Sequence, residues 1–114
     1  MPYLSLVVSQ TLDSAKKDAL NAQFCKLITL LPGKQASDLM FDISGGHTLY
    51  RGEVKKNCAF VDVRLLSFSP FEAKREFTLA TCDMLGKELG IEPSAIYINF
   101  IELPNWGTDN RFLP

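Results

Sequence analysis

Apolar side chains occur in two rhythms along this chain, one of strands and one of helices. Tyr3 to Val8 is short, apolar and rich in β-branched residues, which predicts a strand. Leu39 to Ile43 predicts a second, and Thr48 to Arg51 a short edge strand, with Gly52 to Asn57 as a polar loop. Ala59 to Leu66 is the strongest strand signal: Asp62 and Arg64 alternate with apolar neighbours, so one of its faces is wet or lies in an interface. Ala95 to Ile101 is the last major strand, and an irregular tail follows from Glu102.

Between the strands the spacing changes. Leu20, Phe24, Leu27, Ile28 and Leu31 recur at the i, i+4, i+7, i+8, i+11 intervals of one helical face. Asp13 or Ser14 offers a side-chain oxygen to cap that helix, and Pro32-Gly33 ends it. A second helix is predicted from Ser69-Pro70-Phe71-Glu72, read as an N-cap, a proline at the first helical position and a capping box. Phe77, Ala80, Thr81, Met84, Leu85 and Leu89 form its buried face, and Gly90 stops it.

Strand, helix, strand therefore occurs twice. Cys25 and Cys82 lie 57 positions apart, as do Gly33 and Gly90. A fixed offset points to an internal repeat. Two βαβ units with right-handed crossovers predict an α/β (α+β) fold: one four-stranded mixed sheet with two helices on one face. Apolar residues on both sheet faces leave the second face in need of cover, most simply by further copies of the chain.

Composition narrows the class. The chain has 114 residues, enough for one domain spanning 1–114, and is 46% apolar and 22% charged. A net charge of −1 argues against a nucleic-acid partner. The apolar runs are far below the roughly 20 residues of a membrane helix. No basic, apolar leader opens the chain, so a cytoplasmic location is expected. Cys25, Cys58 and Cys82 form neither a C-x-x-C nor an even disulfide framework, and read as small buried hydrophobes. His47, beside Gly45-Gly46, reads as an exposed loop residue. No metal or cofactor is expected.

Candidate chemistry sits at the beginning. Removal of Met1 leaves Pro2 with a free secondary amine, held by the strand that follows. Met1-Pro2 ahead of a strand, Gly33-Lys34 after the first helix, Leu89-Gly90-Ile91-Glu92-Pro93 and Tyr97-Ile98-Asn99-Phe100 together resemble the macrophage migration inhibitory factor and D-dopachrome tautomerase family, within the tautomerase superfamily. The resemblance covers nearly the whole chain. It implies a homotrimer with sites between subunits, Pro2 and Lys34 on one and Tyr97 on the next. It further implies keto–enol isomerisation of a small carboxylate-bearing substrate such as phenylpyruvate, with Pro2 as the catalytic base. Lys34 would bind the substrate carboxylate or carbonyl oxygen, and the backbone N–H of Leu66 would contact the carboxylate. Asn99 would meet its distal polar group, with Tyr97 as pocket wall and Asp38, Trp106 and Phe112 at the rim.

An amine suits this work. Its ordinary pKa is near 8, and burial or a neighbouring cation lowers it towards neutrality, where the unprotonated form can accept a proton. The chain also departs from its relatives. Cys58-Ala59-Phe60-Val61 replaces the C-x-x-C of cytokine members, Arg51-Gly52-Glu53 replaces Phe-Gly-Gly, and Leu65-Leu66-Ser67 replaces Ser-Ile-Gly. Asp38 stands where several relatives carry an aromatic residue. The base and lysine are thus retained while the rim differs. Two other readings stay open: a cytokine-like interaction protein that meets a receptor and, like relatives, is secreted without a leader, and a Pro2-dependent decarboxylase or dehalogenase branch of the superfamily.

Overall fold

A computed structural model describes residues 1–114. Its main sheet is built from β1 (Pro2–Val8), β2 (Met40–Ser44), β5 (Ala59–Leu66) and β6 (Ile96–Leu103) in the order β2-β1-β5-β6. β1 runs parallel to β2 and antiparallel to β5, and β5 runs parallel to β6, so the sheet is mixed. Helices α1 (Ser14–Leu27) and α2 (Phe71–Leu89) supply the two crossovers.

Alternation decides which face they cover. Leu4, Leu6 and Val8 on β1 and Ala59, Val61, Val63 and Leu65 on β5 are buried in one cluster with Leu20 and Phe24 of α1 and Phe77 and Leu85 of α2. Each large side chain so buried contributes about 1.5–3 kcal/mol. Phe24 packs against Phe41 at 5.2 Å between ring centroids, and Phe77 meets Phe100 edge-on at 5.7 Å. The opposite face carries Tyr3, Asp42, Phe60, Asp62, Arg64, Tyr97 and Asn99 without a covering layer. There Tyr3 donates its hydroxyl to Asp42 at 2.9 Å, and Arg64 pairs with Asp62 at 3.2 Å.

Several expected boundaries move. The first helix is α-helical only to Leu27 and continues as a 3-10 turn over Ile28–Leu30. Asp13 caps it as expected, its carboxylate accepting the Lys16 N–H at 2.8 Å. The second cap differs from expectation. Pro70, extended at φ −60° and ψ 148°, holds the cap position, the helix begins at Phe71, and no side chain caps it. Ser69 makes no capping box with Glu72; its N–H donates at 2.6 Å to the carboxylate of Glu102, a strand residue. The segment Thr48–Arg51 does not add an edge to the sheet. Instead β3 (Tyr50–Arg51) and β4 (Val54–Lys55) form a separate small hairpin, which also takes up part of the expected polar loop. The tail is likewise ordered: β7 (Trp106–Thr108) pairs with β8 (Arg111–Leu113). Asp109 and Asn110 join them, both left-handed at φ 51° and 56°, the conformation of a tight two-residue hairpin turn.

The repeat is thereby wider than two βαβ units. The 57-residue offset carries the start of β1 onto that of β5, and α1 onto α2. It carries the 3-10 turn Ala36–Asp38 onto Pro93–Ala95, and the β3–β4 hairpin onto the β7–β8 hairpin. The left-handed glycines Gly33 (φ 79°) and Gly90 (φ 66°) coincide, as do the helix caps Asp13 and Pro70. Residues 1–57 and 58–114 are two versions of one structural unit.

Candidate active site

Four segments meet at one end of the sheet. Pro2 opens the central strand β1; proline removes a ladder donor and is accommodated at a strand's first residue. Gly33 turns the chain out of the first helix, so that Lys34 follows directly, its N–H on the Leu31 carbonyl at 3.1 Å. The Lys34 ammonium donates to the Leu66 carbonyl at 2.7 Å, at the end of β5. Beyond Leu66, Ser67 takes a left-handed backbone (φ 71°) and donates its N–H to Leu103 at 2.7 Å, ending the strand sharply. The 3-10 turn Ala36–Asp38 places Asp38 just before β2, and the β7–β8 hairpin brings Trp106 and Thr108 from the tail.

Met1, Pro2, Tyr3, Asp38, Met40, Trp106 and Thr108 enclose a pocket of about 160 Å³. A shallower groove of about 440 Å³ shares Tyr3, Met40, Trp106 and Thr108 and reaches Arg64 and Leu103. Pro2 itself is buried. With Met1 attached its nitrogen is an amide without basicity, and Met1 occupies part of the space. The Met1 amine shows the field at this spot: its pKa is lowered, first by burial and then by the positive charge of Lys34, with Asp38 acting in the opposite sense.

Of the residues singled out from the sequence, the structure gathers Pro2, Asp38 and Trp106 in this pocket, with Lys34 close enough to shift its amine and Leu66 as the lysine's partner. Tyr97 and Asn99 lie elsewhere in the same chain. Pro2 pairs with Leu65 and Leu65 with Glu102, whereas Tyr97 pairs with Phe60 at the other end of β5. Five residues along a strand is about 17 Å. Tyr97 is 54% exposed, lies under the Arg51 guanidinium at 5.0 Å, and lines a different pocket. The Asn99 amide nitrogen is placed to donate to the Val61 carbonyl and to Asp62. Phe112, 75% exposed, stands outside the pocket on β8. Tyr3, Met40 and Thr108 line it without having been foreseen; Tyr3 and Met40 were accessible from the sequence, since they adjoin Pro2 in the β1–β2 register.

The second pocket, of about 110 Å³, is lined by Leu49, Tyr50, Arg51, Cys58, Ala59, Phe60, Ala95 and Tyr97. The 57-residue offset carries Met1, Pro2, Tyr3, Asp38 and Met40 onto Cys58, Ala59, Phe60, Ala95 and Tyr97, and carries Leu49 and Arg51 onto Trp106 and Thr108. The two pockets are counterparts, one at each end of the sheet.

A duplicated βαβ unit, a mixed four-stranded sheet with both helices on one face, and a proline at the second position define a member of the tautomerase superfamily. A sequence model of the macrophage migration inhibitory factor family matches residues 1–110, and the chain belongs to that family. Among solved structures, MIF2 of Leishmania major superposes with a TM-score of 0.91 at 22% identity, covering 99% of this chain and 97% of that one. The macrophage migration inhibitory factor-like protein of Entamoeba histolytica gives 0.85 at 23% identity, with 98% of each chain covered. Pt0534, solved in a form inactivated by 2-oxo-3-pentynoate, gives 0.81 at 17% identity, over 94% of this chain and 92% of that one. A search of curated protein sequences gives no match.

Proposed function

We propose that the chain is an isomerase, a keto–enol tautomerase of the phenylpyruvate type, whose general base is the Pro2 amine exposed by removal of Met1. The observation that supports this reading is that Pro2 is buried and lines the pocket one residue from the Met1 amine, which burial and the charge of Lys34 disfavour as an ammonium. The substrate is a small 2-oxo acid or its enol. Its carboxylate meets the Lys34 ammonium and the Leu66 N–H. The Pro2 nitrogen takes the proton from the carbon next to the keto group, the C–H electrons form the enol double bond, and the carbonyl oxygen gains a proton. The reverse sequence returns enol to keto, so no oxidant or cofactor is consumed. Positioned proton transfer of this kind contributes typically about 10²–10⁴-fold in rate.

The uncovered sheet face and the separation of Tyr97 from Pro2 within one chain support a homotrimer in which a neighbour brings Tyr97 and Asn99 to the site. Trp106 forms the rim, and Phe112, outside the single-chain pocket, joins it only if assembly moves the hairpin. The reaction of Pt0534 with 2-oxo-3-pentynoate supports a 2-oxo acid as the ligand class.

The test is turnover of phenylpyruvate enol by protein whose N-terminus is verified by intact mass. Processed protein should turn it over, a form retaining Met1, whose Pro2 nitrogen is an amide, should lose at least about 100-fold, the order of one missing base, and Pro2→Ala, which keeps a primary amine in that place, should lose less. Equal activity in all three would remove Pro2 from the reaction. Sedimentation as a monomer would remove the shared site.

A further inference from the structure

We propose that Asp38 sets the charge selectivity of the pocket, admitting 2-oxo or enol acids with a single carboxylate and rejecting dicarboxylates. The inference rests on the reading of the pocket just given and adds the class of substrate.

The argument begins with sheet order. β1 is flanked by β2 on one side and β5 on the other. Lys34 reaches the β5 side, on the Leu66 carbonyl, whereas Asp38 immediately precedes the β2 side, next to Met40. Two strand spacings separate these sides, about 10 Å. A ligand whose carboxylate meets Lys34 and which crosses above Pro2 therefore turns its far end towards Asp38. That carboxylate is exposed and is paired with none of the chain's lysines or arginines. Within one chain the rest of the lining is Met1, Pro2, Tyr3, Met40, Trp106 and Thr108, among which no side chain is a cation that could receive a second carboxylate. Arg64, in the adjoining groove, is already engaged by Asp62.

The counterpart pocket shows that the fold does not require an acid here. Asp38 ends one 3-10 turn and Ala95 ends its equivalent, 4% exposed. Alanine closes that turn, and the Asp38 side chain likewise makes no bond that holds its own. Lys34 likewise has an apolar counterpart: Ile91 is 1% exposed in the core. Two charges at or near the first pocket thus stand where the second half has two apolar residues. One attracts a carboxylate and the other repels it, so a ligand with a neutral or hydrogen-bond-donating far end is favoured.

The test is calorimetric binding to the processed full-length chain of 3-phenylpropionate and of 3-(4-carboxyphenyl)propionate, which differ by one distal carboxylate. Wild type should prefer the monocarboxylate. Asp38→Asn and Asp38→Ala should each shift the ratio of dissociation constants by about tenfold towards the dicarboxylate, the size of one partly screened charge interaction, while Asp38→Glu keeps the preference. Because alanine closes the counterpart turn, the variants should keep the wild-type circular dichroism spectrum. An unchanged ratio in both neutral variants, or a wild type that binds neither ligand or the dicarboxylate more tightly, overturns the proposal. Absence of phenylpyruvate turnover by the processed wild type, with the ratio still shifting in the variants, would instead defeat the catalytic reading and leave the charge selectivity standing.

Discussion

The two 57-residue halves share a skeleton and differ in what they place at equivalent points. Each has a central strand, a helix closed by a left-handed glycine, a 3-10 turn, an outer strand and a small hairpin over the strand's beginning. In the second half that point is a smaller pocket of about 110 Å³ with a mostly apolar lining: Ala59 and Ala95 are buried, Ile91 fills the core, and the chain runs on through Asn57-Cys58. In the first half the same point holds Pro2 behind a single residue, with Lys34 and Asp38 around it. The same backbone frames either a largely apolar pocket or a charged one. Charge and a chain end, rather than the fold, therefore distinguish the candidate site.

The largest expected effect comes from exchanging the halves' residues. Ile91→Lys puts an unpaired charge into the core and should destabilise by about 3–5 kcal/mol, read by urea unfolding. Lys34→Ile should leave stability within about 1 kcal/mol, yet lower kcat/KM for phenylpyruvate mainly through KM. Equal stability losses would show that both positions serve packing.

Next come the helix starts, which the halves solve differently. Glu102 accepts from the Ser69 N–H and from Lys74 at 2.6 Å each. Burial pushes its pKa up, but the hydrogen bonds from Lys74 and Ser69 and the charges of Lys74 and Lys34 outweigh this and hold it below the usual carboxylate range. A carboxylate depressed in the folded state stabilises above its unfolded pKa, near 4.3, and that stability is lost as pH falls through the folded value. Glu102→Gln should cost about 1–3 kcal/mol at pH 7 and flatten the acid limb of a stability–pH curve below pH 4.3. Asp13→Ala should cost about 1 kcal/mol, and Ser69→Ala less than about 0.5, by thermal unfolding.

The smallest effect is a gain. Thr81, the counterpart of Phe24, is fully buried and its hydroxyl has no partner. Thr81→Val should stabilise by about 1 kcal/mol; a loss would mean that the hydroxyl is satisfied by an ordered water.

Much of this was legible from local pattern. The apolar rhythm located both helices and all four sheet strands, because alternation and helical spacing are read directly from burial. The bounds of Ala59–Leu66 match the strand, and Asp13 is the cap. Ser69 misled because its N–H partner is Glu102, thirty-three residues on in the chain, which no local cap rule contains. The tail hairpin escaped because Asp109-Asn110 is a weaker turn signal than Asn-Gly, and its counterpart Gly52-Glu53, 57 residues earlier, reads as part of a polar loop although it turns the β3–β4 hairpin. Pro2, Lys34 and Asp38 were identifiable by type and position, but their convergence depends on sheet order. Tyr97 shows the limit, since its distance from Pro2 comes from register rather than sequence.

The most direct measurement is the pH dependence of labelling by 2-oxo-3-pentynoate, with the modified residue found by peptide mass. In conjugate addition the Pro2 nitrogen forms an N–C bond, one alkyne π bond breaks, and the amine proton passes to the neighbouring carbon, so the mass rises by that of the reagent. Only neutral amine reacts, so the rate increases as pH rises through the amine pKa. Processed protein should carry one adduct on Pro2, with a midpoint below the ordinary value of about 8, and a form retaining Met1, whose Pro2 nitrogen is an amide, should carry none there. An adduct on Lys34 or a cysteine instead of Pro2, or a midpoint at or above about 8, would contradict the account.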